Sequence, residues 1–472
     1  MKYETLIGLE IHTELKTKSK MFCSCPSDFG GAPNSRVCPV CLGLPGAMPR
    51  LNGEAVKHAV AAACALGCRI EKTSVFERKN YFYPDLPKGY QISALHHPFA
   101  REGGLDADGR FVRIHEMHLE EDAGKMIHEG GRTLLDFNRC GLPLIETVTE
   151  PDMRTSDEVI AFLNIFKGRL YALGISDMKI EEGSMRVDVN ISLRKPGAPD
   201  GNRCEIKNIS SFRSIRRAIA YEEKRQAALL DSGGKADTET RRFDEATGET
   251  VFMRRKESTD DYRYYPEPNI PPLHISESFI REVRAAAPEF PDERERRYIN
   301  ELSLKRDDAR FLSERAELSA LFEKCLSLDS PLKETLFLLI QHAPYIAAER
   351  GCTMGQLGLA AEDITFIAKK LADSSLNRDG AKKVLAACAD GQSAEDFINE
   401  HGLCVRISDE EIESAARRAI SQSPEAVESY LGGKKKAAMS IVGRAMALLG
   451  GHADPALVRG AVFGIINKQG DK

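Results

Sequence analysis

The sequence predicts an α+β protein: a strand-rich α+β domain over residues 1–290 followed by two all-α units, 291–405 and 406–472. Three observations predict it. Apolar and polar residues alternate with period 2 in many short segments of the first part. Helical periodicity replaces that pattern after about residue 290. A capping box, Ser408-x-x-Glu411, then opens a last helical run. A chain of 472 residues fits two to four domains, and it carries neither an internal repeat nor a low-complexity tract.

The elements follow in order. ETLIGLEIHTEL, GRFVRIHEMHLEE, SMRVDVNISLR and CEIKNI alternate as strands with one buried and one polar face. Helices are expected at about 53–67, 155–173 and 211–230. The stretch DDYRYYPEPNIPPLHI, residues 260–275 with four prolines, reads as an extended closing segment. DDARFLSERAELSALFEKCL and LKETLFLLIQHAPYIAAER are helical. In the tail, a Gly432-Gly433 loop leads into Lys434, Lys435 and Lys436.

Composition narrows the function. Lys plus Arg number 66 against 71 Asp plus Glu, a net charge of −5 that argues against indiscriminate nucleic-acid binding. The tail departs from this balance: from Leu431 to Lys472, seven basic residues, Arg444 among them, oppose two aspartates, leaving +5. That points to a nucleic-acid contact confined to one end. Apolar residues at 42% and charged residues at 29% describe a globular chain. No apolar run approaches the roughly 18 residues of a membrane span, and the N-terminus has no signal-peptide core, so a cytoplasmic protein without membrane contact is expected.

A reducing compartment does not maintain disulfides, so the 12 cysteines need another explanation. Cys23, Cys25, Cys38 and Cys41 form C-x-C-x12-C-x2-C around a Pro/Gly-rich loop. Two close pairs suit tetrahedral Zn²⁺, and four thiolates close its coordination shell, so the expected role is structural. The other eight read as ordinary burial, with Cys64 and Cys68 as small core residues on an Ala-rich helix.

The polar strand faces carry the chemistry. Alternation puts Glu10, His12 and Glu14 on one face; His118, Glu120 and Asp122 share another. Glu146 and Glu150 recur in LIETVTE, and Arg186, Asp188, Asn190 and Ser192 in MRVDVNISL. A regular strand turns Glu121 away, whereas a bulge near His115–Glu116 would reverse the order. Solvent-facing strands usually carry Lys, Thr and Gln rather than so many acids. Oxygen donors with a single imidazole suit Mg²⁺ or Mn²⁺, and Mg²⁺ commonly accompanies phosphate. Arg78, Lys79, Asn80, Lys125, Arg139 and Lys207 lie close by in sequence. No P-loop, Rossmann fingerprint or hydrolase elbow is present. These residues alone reach a metal-dependent, phosphate-handling enzyme.

The runs IGLEIHTEL, CPVCLGLPGAMPRLN, FERKNYFYPDLPKGYQIS, LEEDAGK, DFNRCGLPLIETVTEPDM, MRVDVNISL, EIKNISSF and DDYRYYPEPNIPP resemble, in order, the B subunit of the tRNA-dependent aspartyl/glutamyl amidotransferases. The segment from Ile420 to Val458 resembles that family's YqeY-like tail. The resemblance implies a cradle akin to glutamine-synthetase-type catalytic domains. It also implies an ATP-dependent carbon–nitrogen ligase with glutamine as amide-nitrogen donor. Misacylated Glu-tRNA(Gln) or Asp-tRNA(Asn) would be phosphorylated on the side-chain carboxylate with ATP and Mg²⁺. Ammonia from a partner amidase A subunit would then yield the amide, and a small C subunit would complete the heterotrimer and brace it.

Carried over residue by residue, the resemblance implies Mg²⁺ ligands at Glu10, His12, Glu146 and either Glu120 or Glu121. Lys79 is matched to a nucleotide-phosphate or acyl-phosphate contact, with Arg186, Asp188, Asn190 and Lys207 lining the same cradle. The four cysteines match the family's Zn²⁺ site, and Lys434, Lys435, Lys436 and Arg444 its tRNA contact. Departures such as QISA and KNISSF, where the family more often has QISQ and KNLNSF, remove no proposed ligand, and GGKKKA in place of the usual GKGKA-like loop keeps the local positive charge. The absence of Trp suits tRNA bound by shape and backbone rather than by stacking. Two other readings are a tRNA-binding scaffold without chemistry and a free-standing ligase acting on a small carboxylate.

Overall fold

A computed structural model describes residues 2–255, 259–404, 407–432, 434–450, 453 and 455–470. The chain divides into two compact units, Met1–Asp292 and Glu293–Lys472.

The first unit is built on a 12-stranded mixed sheet. Its strands are β1 (Glu4–Glu14), β2 (Arg69–Ile70), β3 (Glu77–Asn80), β4 (Tyr90–Ser93), β5 (Ala100–Ala107) and β6 (Arg110–Glu121). They continue as β7 (Pro143–Thr149), β8 (Met185–Arg194), β9 (Cys204–Lys207), β10 (Glu239–Asp244), β11 (Glu249–Arg255) and β12 (Tyr265–Pro266). The order is β11-β10-β9-β8-β1-β7-β6-β4-β3-β12, with β5 also on β6 and β2 on β5. Among the described residues β9–β10 is the one parallel pairing. The proline-rich 260–275 segment supplies β12, and a second short strand, Leu273–His274, pairs with Thr73–Ser74. Its Glu267 receives Arg78 from β3, so two distant motifs close one sheet edge.

One sheet face is apolar throughout its centre. Leu9, Ile11, Met117, Leu119, Ile145, Val187, Val189 and Ile191 are buried there. Three helices contribute to the same core: α1 (Gly53–Ala65), α2 (Ser156–Ala172) and α3 (Phe212–Asp231). Each begins on a side chain that accepts from the first-turn amides: Asn52, Thr155 and Ser211. Cys64 lies on α1, but the helix stops at Ala65 because Gly67 turns into the left-handed region at φ +67°, so Cys68 is buried in the following turn rather than on the helix.

The second unit is helical, with two apolar clusters. One gathers Tyr298, Phe322, Leu338, Ile364 and Leu385; the other gathers Ile412, Ala416, Ile441, Ala445, Val458 and Ile466. Ser408 and Glu411 make both halves of the capping box at Asp409–Ser421. Among the described residues no helix is long and apolar enough to cross a membrane.

Phe162 is fully buried on α2 and stacks on Phe166 at 6.0 Å between ring centroids. Replacing it with Ala should destabilise the first unit by ~3–5 kcal/mol, because the sheet beneath cannot collapse into the void. Guanidinium denaturation followed by far-UV circular dichroism reads this directly, and a loss below ~1 kcal/mol would contradict the packing described.

Candidate functional site

The polar face of the sheet is organised in transverse rows. His118 of β6 lies opposite Glu146 of β7, Glu146 opposite His12 of β1, and His12 opposite Arg186 of β8. In the next row Val148 stands between Glu116 and Glu10, and Glu10 faces Asp188. In the row on the other side, Leu144 stands between Glu120 and Glu14. Antiparallel partners project to the same side, so these rows converge on one surface.

At the centre, His12 Nε2 is 3.4 Å from Glu120 Oε1 and 3.4 Å from Glu146 Oε2. The pairing register shifts at His115, but Glu116–Glu121 then pair regularly with β7. Glu120 therefore keeps the His118 face and joins His12 and Glu146. Glu121 turns away, forms an ion pair with buried Lys88 and accepts from the Ile92 amide at 3.0 Å. Of the two acids left open by the sequence, the structure brings only Glu120 to the cluster.

Glu10 belongs to a neighbouring acidic group with Asp188 and Glu205, whose ligand oxygens lie within 4.8 Å of one another. Asn190 Nδ2 donates to Glu10 at 2.9 Å, while Lys207 pairs with Asp188 and approaches Glu205 at 3.3 Å. Arg186 binds Asp122 at 3.0 Å. Lys79 lies over the Tyr262 ring at 5.0 Å, and its charge acts on Glu120. A cavity of about 540 Å³ opens beside these groups, lined by His12, Arg186, Asp188, Lys207 and Ser210. Arg139 is held by the Ala123 and Gly124 carbonyls, and Lys125 sits exposed on a separate hairpin.

Burial by itself would lower the His12 pKa, but Glu146 and Glu120 outweigh it and lift it to about 9. Burial works against ionised Glu146 as well, yet His118 and His12 hold its carboxyl well below the usual range. Burial, then the Glu146 charge, pushes Glu120 up. Two carboxylates and one imidazole this close form a donor set of the kind Mg²⁺ or Mn²⁺ takes. A cation would take the place of the proton on His12.

The four cysteines converge too. Cys23, Cys25, Cys38 and Cys41 place their sulfurs within 4.8 Å of one another, and all are free thiols. Tetrahedral Zn–S bonds of about 2.3 Å need sulfurs about 3.8 Å apart, and Cys38 and Cys41 already stand at 3.9 Å. Cys41 is held down to about 5 by the Cys23 thiol that donates to it, with the Cys38 amide and Lys20 adding to the effect. Fully buried Lys20 donates to the Arg36 carbonyl at 2.8 Å and lies 4.0 Å from Cys41 Sγ.

In the tail, Lys434 and Lys436 are exposed, the backbone of Lys435 begins a single 3₁₀ turn, and Gly433 lies outside the described residues. Arg444 is exposed but donates to the Gln422 carbonyl and to Ser423 Oγ, so it also closes a helix connection.

Gln91, His118, Lys88 and Lys20 belong to these sites without having been assigned roles from sequence. Alternation does place His118 on the Glu120 face. Lys20 and Lys88 lie in loops with no period, so no pattern marked them.

A family model described as the GatB/GatE catalytic domain matches residues 5–281, and one described as the GatB domain matches residues 320–464. A Thermus thermophilus protein, named as the B subunit of an aspartyl/glutamyl-tRNA(Asn/Gln) amidotransferase, is 45% identical over 460 residues, covering 97% of this chain and 98% of the relative. Its namesake from Caldicellulosiruptor saccharolyticus is 43% identical over 470 residues, with the same coverage of both chains.

Two measurements follow from the geometry. The protein should carry about one tightly held zinc per chain, lost in the Cys38→Ser/Cys41→Ser double variant; zinc-free wild type on elemental analysis would refute the knuckle. Because His12 must release its proton below about pH 9, Mn²⁺ affinity should rise as pH increases toward that value. For one displaced proton the gain is about tenfold per pH unit. A pH-independent affinity between about pH 6 and 8 would exclude His12 as a ligand.

Proposed function

The chain belongs to the B-subunit family of the aspartyl/glutamyl-tRNA(Asn/Gln) amidotransferases, and from that premise we propose that it is the kinase and transamidase half of a glutamine-dependent tRNA amidotransferase. Its substrates are Glu-tRNA(Gln), Asp-tRNA(Asn) or both. The observation that carries this reading is the His12–Glu120–Glu146 cluster beside a cavity lined by Arg186, Lys207 and the Asp188 carboxylate.

A carboxylate is a poor electrophile. Transfer of the ATP γ-phosphoryl group to the side-chain carboxylate makes an acyl phosphate and releases ADP. Ammonia then attacks the acyl carbon, the C–O bond to phosphate breaks, and amide, phosphate and a proton leave. A bound Mg²⁺ would offset the charge on the transferring phosphoryl group. In this reading His12, Glu120 and Glu146 hold that ion, with Glu10 at the adjoining position. Lys79 contacts the nucleotide or acyl phosphate, while Arg186, Asp188, Asn190 and Lys207 line the substrate cavity. Lys207 already pairs with two carboxylates, so phosphate would have to compete with them for its ammonium. Glu121, paired with Lys88, is kept here as support for the β6 end rather than as a metal ligand.

The partners proposed are an amidase A subunit that supplies ammonia and a small C subunit, in a cytoplasmic heterotrimer. The first unit is read as the cradle of residues 1–290, akin to glutamine-synthetase-type domains. The rest is read as the linker of 291–405 and the YqeY-like tail of 406–472. Lys434, Lys435, Lys436 and Arg444 are proposed to meet the tRNA backbone.

Given ammonium, ATP, Mg²⁺ and Glu-tRNA(Gln) or Asp-tRNA(Asn), the purified complex should form the corresponding amidated aminoacyl-tRNA, and His12→Ala should slow it by roughly 100-fold. No amide product with either tRNA would sink the catalytic reading. Amidation of free glutamate without tRNA would favour a small-molecule ligase. For the tail, Lys434→Ala/Lys436→Ala should reduce the salt dependence of tRNA binding by about 1 to 2 in slope with kcat unchanged. An unaltered slope would remove the tail lysines from the interface.

A further inference from the structure

Glu120, Glu146 and the adjoining Glu10 each have a nitrogen donor supplied by a neighbouring strand. Gln91 of β4 donates to Glu120 at 3.1 Å, and Asn190 of β8 donates to Glu10 at 2.9 Å. Glu146 has two imidazoles: His12 Nε2 at 3.4 Å and His118 Nε2 at 3.2 Å. The two are not equivalent. His12 lines the cavity, whereas His118 is 1% exposed beneath the cluster.

We propose that His118 is a positioning residue that fixes the Glu146 carboxylate for cation binding; this inference rests on the metal-cluster reading above. An imidazole nitrogen that coordinates a cation offers its lone pair and has no proton left to donate. Once His12 Nε2 binds a cation, it stops donating to Glu146. His118 Nε2–H then remains to hold the carboxylate.

Strand register enforces the contact, since His118 and Glu146 are direct partners between β6 and β7. The same Nε2 lies 3.9 Å from Glu120 Oε2, so His118 sits under both acids. Its far nitrogen, Nδ1, is buried without a hydrogen-bond partner and stands 3.9 Å from Glu116, itself paired with Arg101 at 3.2 Å. The shorter of the carboxylate contacts made by this imidazole is therefore on the Nε2 side, toward Glu146. Partners of this kind orient ligands, and losing one typically costs about 10–100-fold in metal affinity.

The test uses the full-length chain with its partner subunits and Mn²⁺ as the probe. His118→Leu fills the space without a donor, His118→Asn is polar but too short to reach Glu146, and His118→Gln retains an N–H at similar reach. Leu and Asn should weaken Mn²⁺ binding at least about tenfold, while Gln stays within about threefold of wild type. At saturating Mn²⁺, the ¹⁴N coupling of one coordinated imidazole should persist in His118→Gln and vanish in His12→Ala. If the Leu variant fails to fold, the contrast between Asn and Gln decides.

Wild-type affinity in the Asn variant, or a Gln variant as weak as Asn at unchanged thermal stability, would overturn the proposal. Loss of the ¹⁴N coupling in His118→Gln would make His118 a ligand instead, which also overturns it. Unchanged Mn²⁺ binding in His12→Ala would overturn the cluster reading itself, a separate outcome.

Discussion

Everything at the candidate site depends on the register of β1 between β7 and β8. Side chains on a strand alternate with period 2, so a one-residue slip would send His12 and Glu10 into the apolar core and expose Leu9 and Ile11. The apolar face prevents that slip, because α1, α2 and α3 bury Leu9, Ile11, Ile145 and Val189 in one cluster. Packing on one side of the sheet therefore sets the chemistry on the other. The His12–Glu120–Glu146 cluster needs no loop to assemble it: its three members sit on adjacent paired strands.

The same arrangement explains how so much charge is tolerated. Removing a carboxylate from water without a partner is costly. Here Gln91 donates to Glu120, Asn190 donates to Glu10 and His118 lies against Glu146 and Glu120, while Arg186 and Lys207 neutralise Asp122 and Asp188. What remains unbalanced is concentrated on His12, Glu120 and Glu146, where two carboxylates lift the imidazole pKa to about 9. A divalent cation at the same place would bring two positive charges to these acids where the protonated imidazole brings one.

Alternation made much of this legible in the sequence. It placed Glu10 and His12 on one face, Glu120 with His118, and Glu146 on a polar face, because each strand keeps its period. Whether a bulge displaced Glu120 was not legible, since a bulge depends on the partner strand. The shift does occur at His115, but it lies upstream of the acids and leaves them in phase. Contacts between distant segments were also hidden. Nothing local in PDLPKGY announces that Lys88 is buried against Glu121, and nothing in RKN announces the closure of Arg78 on Glu267. The Ala-rich pattern around Cys64 runs on to Cys68, but Gly67 ends the helix first.

The cysteine knuckle connects to the site through Gly141. A side-chain carbon added there would lie 3.5 Å from Lys20 Cδ, 3.7 Å from Cys41 Cβ and 3.7 Å from Glu121 Oε2. Its φ of +86° is one that residues with a Cβ rarely adopt. The knuckle is thus packed against the end of β6, one residue beyond Glu120. Lys20 fits the same logic. Its buried ammonium already stands beside the Cys41 thiolate, and a zinc–tetrathiolate, which carries a net charge of about −2, would hold it more firmly. Zinc at this position would stabilise the buried lysine and the turn that backs Glu121, and through them the wall behind Glu120 and Glu146. That is a structural role reaching to the edge of the chemistry.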